Sequence, residues 1–349
     1  MKYLLVLFFF LKVQVYGQAV IRLTTNNKTI IRGMSVVDND VVWVSGSNGM
    51  VGKSINGGKS FKWKRIPNFE KSDFRDIEAF DENTAVIMSV SSPAYILRTD
   101  DGGSKWKEVY INSLDSIFLD AMEFWNNKWG VVIGDPIDHK FVVARTYDGG
   151  KTWHDIDHES YPKAANGEAC FAASGTNLRV LGEQCYFVTG GKESNLYITG
   201  KPHPLPIIHG KTTSGANSLA IKDKNTIFIV GGDFDKPDSS TGNSCYTHDG
   251  GITWQQPQTA PHGYRSCVEY INKKNWIACG YNGVDISKDD GKNWQKISSE
   301  SYNVCRKAKK GTAVYLAGAN GQIGKYDADF TPPTTHGHTS IIRRLIHKN

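Results

Sequence analysis

Short apolar runs recur along the chain, and each ends at glycine. They are VVWVSGSNG from Val41, WGVVIGDP from Trp129, CYFVTGG from Cys185, IFIVGGDF from Ile227, WIACGYNG from Trp276 and VYLAGANG from Val314. Runs this short, rich in β-branched and aromatic residues and bounded by turn formers, predict buried strands and not helices. Between them a second pattern returns five times: SINGGKSF from Ser54, TDDGGSKW from Thr99, TYDGGKTW from Thr146, THDGGITW from Thr247 and SKDDGKNW from Ser287. Each copy holds Ser or Thr, then Asn56, Asp101, Asp148, Asp249 or Asp289, then a glycine. It ends on an aromatic residue: Phe61, Trp106, Trp153, Trp254 or Trp294.

The physics of this motif is that of a turn. The Asp or Asn side chain accepts backbone N–H groups, glycine supplies positive φ without a steric penalty, and the closing aromatic enters the next strand and packs between sheets. These residues are therefore read as structural and not catalytic. A repeat period near forty to fifty residues is the mark of propeller blades. Two further units, NLYITGKPH near Thr199 and GQIGKYDADF near Lys325, share the pattern without a good box. Blade turns then fall near Ser54, Thr99, Thr146, Thr199, Thr247, Ser287 and Lys325, which predicts an all-β, seven-bladed propeller of four-stranded antiparallel blades. The segment 19–25, AVIRLTT, is expected to supply the outer strand of the last blade and close the ring, removing exposed sheet edges.

In such a wheel the innermost strands line a central channel. The strand-like runs align to give Arg32, Arg75, Asp120, Glu168, Asn217, Arg265 and Asn303 where those strands begin, with Asp76 beside Arg75. Neighbouring loops add Asp135, Lys192 and Asp233, the last in the long turn-rich segment 231–238. Arginines at a funnel mouth suit carboxylate or phosphate by bidentate contacts. The acids suit amines, hydroxyls or a metal, or they neutralise the arginines. Boxes, between the third and fourth strands, are expected on the opposite face.

Composition refines this picture at the ends and in charge. The sequence opens MKYLLVLFFFLKVQVYGQA, a short positive start and an apolar run too short to span a bilayer, so residues 1–17 are expected to be a signal peptide cleaved before Gln18 and the protein to be exported, periplasmic or extracellular. The propeller is expected over 18–330, with a tail over 331–349. A formal net charge of +6, scattered along the chain, gives no nucleic-acid footprint, and no second apolar run is long enough for a membrane helix. The six cysteines, 170, 185, 245, 267, 279 and 305, lie mostly within strand-like runs and show no metal-type spacing. They read as buried thiols, with a bridge between neighbouring strands as the other reading. No cofactor motif is present in the pattern, and a monomer is expected.

With the boxes in place, the chain resembles the photosystem II stability/assembly factor-like propellers built on BNR (Asp-box) repeats, and most of all their secreted bacterial branch. The resemblance rests on the boxes and on DFRDIEAF (73–80), SSPAYI (91–96), FLDAMEFW (118–125), GDPID (134–138), GEACFAASGTNL (167–178), VTGG (188–191), VGGDF (230–234) and GYRSC (263–267). It implies a seven-bladed propeller and, from the photosynthetic relatives, a chaperone-like role on an assembling membrane protein. The expected function is a non-enzymatic scaffold that takes a protein, a peptide, a glycan or a small charged ligand at the channel mouth. The alternative is a sialidase-like glycoside hydrolase. Against it, Arg65-Ile66-Pro67 follows the first box and does not precede it, and Tyr264 is the one candidate nucleophile.

Overall fold

Seven antiparallel sheets follow one another around the ring in the computed structural model, which describes residues 19–24 and 27–329. The expected signal peptide and C-terminal tail lie outside the described residues. Blade 1 runs Ile31–Val36, Val41–Gly46, Met50–Ile55 and Lys62–Arg65, from the channel outwards. Blades 2, 3, 4 and 6 begin at Phe74–Ala79, Leu119–Phe124, Leu178–Leu181 and Cys267–Asn272 and repeat that order of strands. Blade 5 has Ser214–Ile221, Ile227–Asp233 and Ser244–Thr247, and its outer element is reduced to the bridge between Tyr246 and Gln255.

Ring closure is as expected from the sequence. Blade 7 takes three strands from the end of the wheel, Val304–Lys307, Val314–Ala317 and Ile323–Tyr326. Its outer strand comes from the start: Val20–Thr24 pairs antiparallel with Ile323–Tyr326, Val20 facing Tyr326 and Ile21 facing Lys325.

The cores lie between blades. Trp43 and Val41 of blade 1 pack with Ile77 and Ile87 of blade 2, and Leu196 of blade 4 packs with Leu219 and Ile229 of blade 5. The aromatic that closes each box belongs to these seams. Trp106 meets Trp43 edge-on at 6.2 Å, Trp153 meets Phe124 at 5.7 Å, and Trp294 of blade 6 lies 5.0 Å from Phe228 of blade 5. Burying such rings contributes a few kcal/mol each, and edge-to-face pairs add roughly 1 kcal/mol. None of the six cysteines is bonded to another.

The boxes share one hydrogen-bond scheme. In the third copy Thr146 Oγ1 donates to Asp148 Oδ1 (2.8 Å) and accepts from Gly150 N–H (2.9 Å), while Asp148 Oδ1 accepts from the amides of Lys151 and Thr152, both at 3.0 Å. Glycines 149 and 150 both sit at φ 79°, where a side chain would be strained. Ser54, Thr99, Thr247 and Ser287 accept from Gly58, Gly103, Gly251 and Gly291 in the same way.

Candidate functional site

Innermost strands run from the mouth of the channel to turns at the other end, and the boxes bond to those turns. Gly57 donates to Asp40 O, Gly102 to Asn83 O, Gly149 to Lys128 O, and Gly250 to Asn225 O. The boxes therefore lie at the end of the wheel away from the start of the innermost strands.

The start of several innermost strands is bent by a β-bulge. Ile31 faces Gly46 but Gly33 faces Ser45, which leaves Arg32 unpaired. The same shift isolates Arg75, Asp120 and Asn217. A bulge re-aims the extra residue. Here it sends four polar side chains to the mouth or just beneath it.

Neighbouring blades are stitched together one residue further on. Asp76 Oδ2 accepts from Met122 N–H (2.7 Å), Ser218 Oγ from Val268 N–H (3.0 Å), and Cys267 Sγ from Cys305 N–H (3.3 Å). Asp76, Ser218 and Cys267 are thus equivalent, and the mouth position of blade 6 is Ser266. This corrects the alignment at Arg265, which stands one residue before the ring. Its buried guanidinium is consumed by Asp285 Oδ2 on the third strand, by Asn282 Oδ1 at 2.6 Å and by the carbonyls of Tyr264 and His262.

Glu168 needs a second correction. The innermost strand of blade 4 starts at Leu178, so the equivalent mouth residue is Thr176. GEACFAASG is instead a loop laid over the mouth, pinned where Glu168–Ala169 pairs with Gly190–Gly191. Glu168 is buried there under Asn195 Nδ2 (2.8 Å), the Tyr197 hydroxyl (2.9 Å), the Ala165 amide (2.8 Å) and the Thr189 hydroxyl. Alternating polar and small residues gave this segment the look of a strand.

Beside that loop is a cavity of about 340 Å³ lined by Arg32, Arg75, Asp135, Asn217, the loop residues Ala169, Cys170, Ala172 and Ala173, and five aromatic residues, Phe118, Phe171, Phe234, Tyr264 and Tyr281. Of the expected mouth residues it gathers Arg32, Arg75, Asn217 and Asp135. Lys192 packs its stem on Gly167, and Asp233 is tied to Thr213 (2.8 Å) and Lys211 (3.6 Å), outside the cavity wall. Asn303 donates to Ile31 O at 2.9 Å, joining blade 7 to blade 1. Of the aromatic rim, the sequence singles out Tyr264 alone, as a candidate nucleophile. The signal of the rest is faint: Phe171 and Phe234 follow the same loops as Cys170 and Asp233, and they meet edge-on at 5.9 Å.

Electrostatics set the two arginines apart from the acids. Arg75 bonds Asp73 at 2.8 Å and stacks over Phe118 at 5.6 Å. Arg32 has no ion-pair partner among the described residues, and burial and then Arg75 lower its pKa. Asp120 is fully buried with neither oxygen hydrogen-bonded, and burial and then Asp135 push it well above the usual carboxylate range. Burial raises Asp135 to about 6, although it accepts from Cys170 N–H at 2.9 Å. Asp76, deeper still, is raised to about 8 by burial. At neutral pH burial thus holds Asp76 and Asp120 towards their neutral form beneath the guanidinium groups, while Asp135, at about 6, is mostly ionised.

Below the mouth the channel is lined by charge, around a smaller cavity of about 180 Å³. The next inward-facing ring position holds Ser35, Glu78, Glu123, Arg179, Ala220, Glu269 and Arg306 in blades 1 to 7. Arg179 bridges Glu123 (3.2 Å) and Glu269 (3.3 Å), and Lys309 reaches Glu78. Glu78, Glu123 and Glu269 are thus paired, whereas Arg306 makes no ion pair within 4 Å among the described residues: it donates to Gly175 O at 3.2 Å, and its buried Nε has no hydrogen-bond partner.

Fold and site define a seven-bladed Asp-box propeller with an arginine-bearing channel mouth, walled in part by the loop 169–173. A model of the BNR/Asp-box repeat matches residues 246–256, the fourth box. No curated protein matches the sequence. Among solved structures the chain is similar to "YCF48 bound to D1 peptide" (14% identity, TM-score 0.65, 90% of this chain and 99% of that one). It is also similar to YCF48 from Cyanidioschyzon merolae (15%, 0.62, 88% and 98%) and to the WD40 propeller domain of Doa1 (12%, 0.62, 90% and 98%). The likeness to photosystem II assembly-factor propellers expected from the sequence is thus present in the fold.

Proposed function

We propose that this chain is an exported, non-enzymatic propeller that binds an extended acidic peptide segment of a protein partner at the channel mouth. The observation that carries the reading is the cavity itself: Arg32 and Arg75 beside five aromatic residues, at the end of the wheel away from the boxes. Guanidinium groups fork onto carboxylates, and aromatic walls bury the intervening apolar side chains. Strands carry Arg32 and Arg75, and the loops around the mouth carry the aromatic residues. A structural neighbour described as bound to a peptide supports the same use of the fold.

The test is selection from a random peptide library on the immobilised full chain, counter-selected with an R32A/R75A variant. Enriched peptides should carry carboxylates and bind the wild type at least tenfold more tightly than the variant. Absence of enrichment, or equal binding, contradicts the reading. The alternative, glycoside hydrolysis, draws on the buried Asp120 and Asp135 pair. Turnover of fluorogenic glycosides that is lost in Asp135→Asn would replace the binding reading with an enzymatic one.

A further inference from the structure

Three thiols from three strands meet in the seam between blades 6 and 7. Cys267 is on the innermost strand of blade 6 and faces Cys279 directly on the next strand. Cys305 comes from the innermost strand of blade 7. All three are fully buried, and their Sγ atoms lie within 4.8 Å of one another, those of Cys267 and Cys305 3.5 Å apart. They belong to one apolar core cluster with Ile277, Val304 and Leu316, and the Thr176 hydroxyl, 3.5 Å from Cys267 Sγ, is a polar neighbour. No fourth His, Cys, Asp or Glu joins the group among the described residues.

We propose that Cys267, Cys279 and Cys305 form a three-coordinate sulfur site for a soft metal ion, with copper(I) as the ion it fits. A metal–sulfur distance of about 2.3 Å in a trigonal plane places three sulfurs about 4 Å apart, so shifts of well under 1 Å convert the observed cluster into a ligand set. Zinc in a structural site takes four ligands, whereas thiolate donors in a dry pocket suit copper(I).

The guanidinium charges of Arg306 and Arg265 act on Cys267 and Cys279 and offset part of the negative charge that three thiolates bring to the seam. On binding, each coordinating thiol gives its proton to solvent as its sulfur–copper bond forms. The ion keeps its oxidation state, and no electron is transferred. The seam is sealed, so the ion enters as the chain folds.

The full chain is refolded under argon with copper(I) held in a colorimetric chelator. The expected result is one copper retained per chain, an all-sulfur shell of three scatterers in X-ray absorption, and a raised melting temperature. C267S, C279S and C305S should each weaken retention at least tenfold. C245S should not, because Cys245 lies in a separate core between blades 4 and 5. Because a buried serine also perturbs the seam, the X-ray absorption of the wild type decides independently. A nitrogen or oxygen shell, equal loss in C245S, or a disulfide between any two of the three thiols in the chain as isolated overturns the proposal.

Discussion

At the residue scale, burial at the mouth decides which charges can meet a partner. Asp135 illustrates it. Its folded pKa of about 6 lies above the unfolded carboxylate value, so its contribution to stability is fully present below about pH 4 and is lost as pH rises through 6. D135N keeps the oxygen that accepts from Cys170 N–H and removes the titration. Wild-type stability should therefore fall by roughly 1–3 kcal/mol between pH 4 and pH 7 relative to D135N, read by denaturant midpoints. Parallel pH profiles would show that the carboxyl ionises as freely in the fold as in the unfolded chain. Gly175, at φ 62°, is a second fixed point, since a Cβ there would meet the Asp76 carboxyl at 2.4 Å.

At the element scale, the box is a turn that is stapled by its own side chains. Burial opposes ionisation of Asp148, but hydrogen bonds from the Thr152 amide and hydroxyl, Thr146 and Lys151 hold its pKa near 2. D148A should cost about 1–2 kcal/mol, measured by thermal or denaturant unfolding, and leave binding at the mouth unchanged. Most of the element structure was legible because glycine, Asp and Trp spacing encodes the turn locally. What failed was register. Arg265 and Glu168 looked like strand starts, but a strand's starting residue is fixed by its pairing across the blade, and a one-residue slip exchanges inside for outside. In four blades the aligned position falls on a bulge, at Arg32, Arg75, Asp120 and Asn217; in blade 4 the loop carrying Glu168 hid Thr176. The cysteine cluster was invisible for the same reason: Cys267, Cys279 and Cys305 are brought together by pairing within and between blades.

At the scale of the whole molecule, closure by Val20–Thr24 joins the two ends of the wheel. Deleting residues 19–26 would leave the edge of Ile323–Tyr326 unpaired. The expected outcome is a lower and broader thermal transition with concentration-dependent aggregation, while D148A stays cooperative. An unaltered transition would show that the strand adds nothing to the ring. The wheel also separates tasks between its ends: the boxes lock the seams at one end, and Arg32 and Arg75 face the cavity at the other. The most direct test of that division is the affinity of one library-selected acidic peptide for the wild type, R32A/R75A and D148A, by isothermal titration calorimetry on the full chain. The account predicts at least a tenfold loss in R32A/R75A and no change in D148A. Undiminished binding by R32A/R75A, or loss confined to D148A, would contradict it.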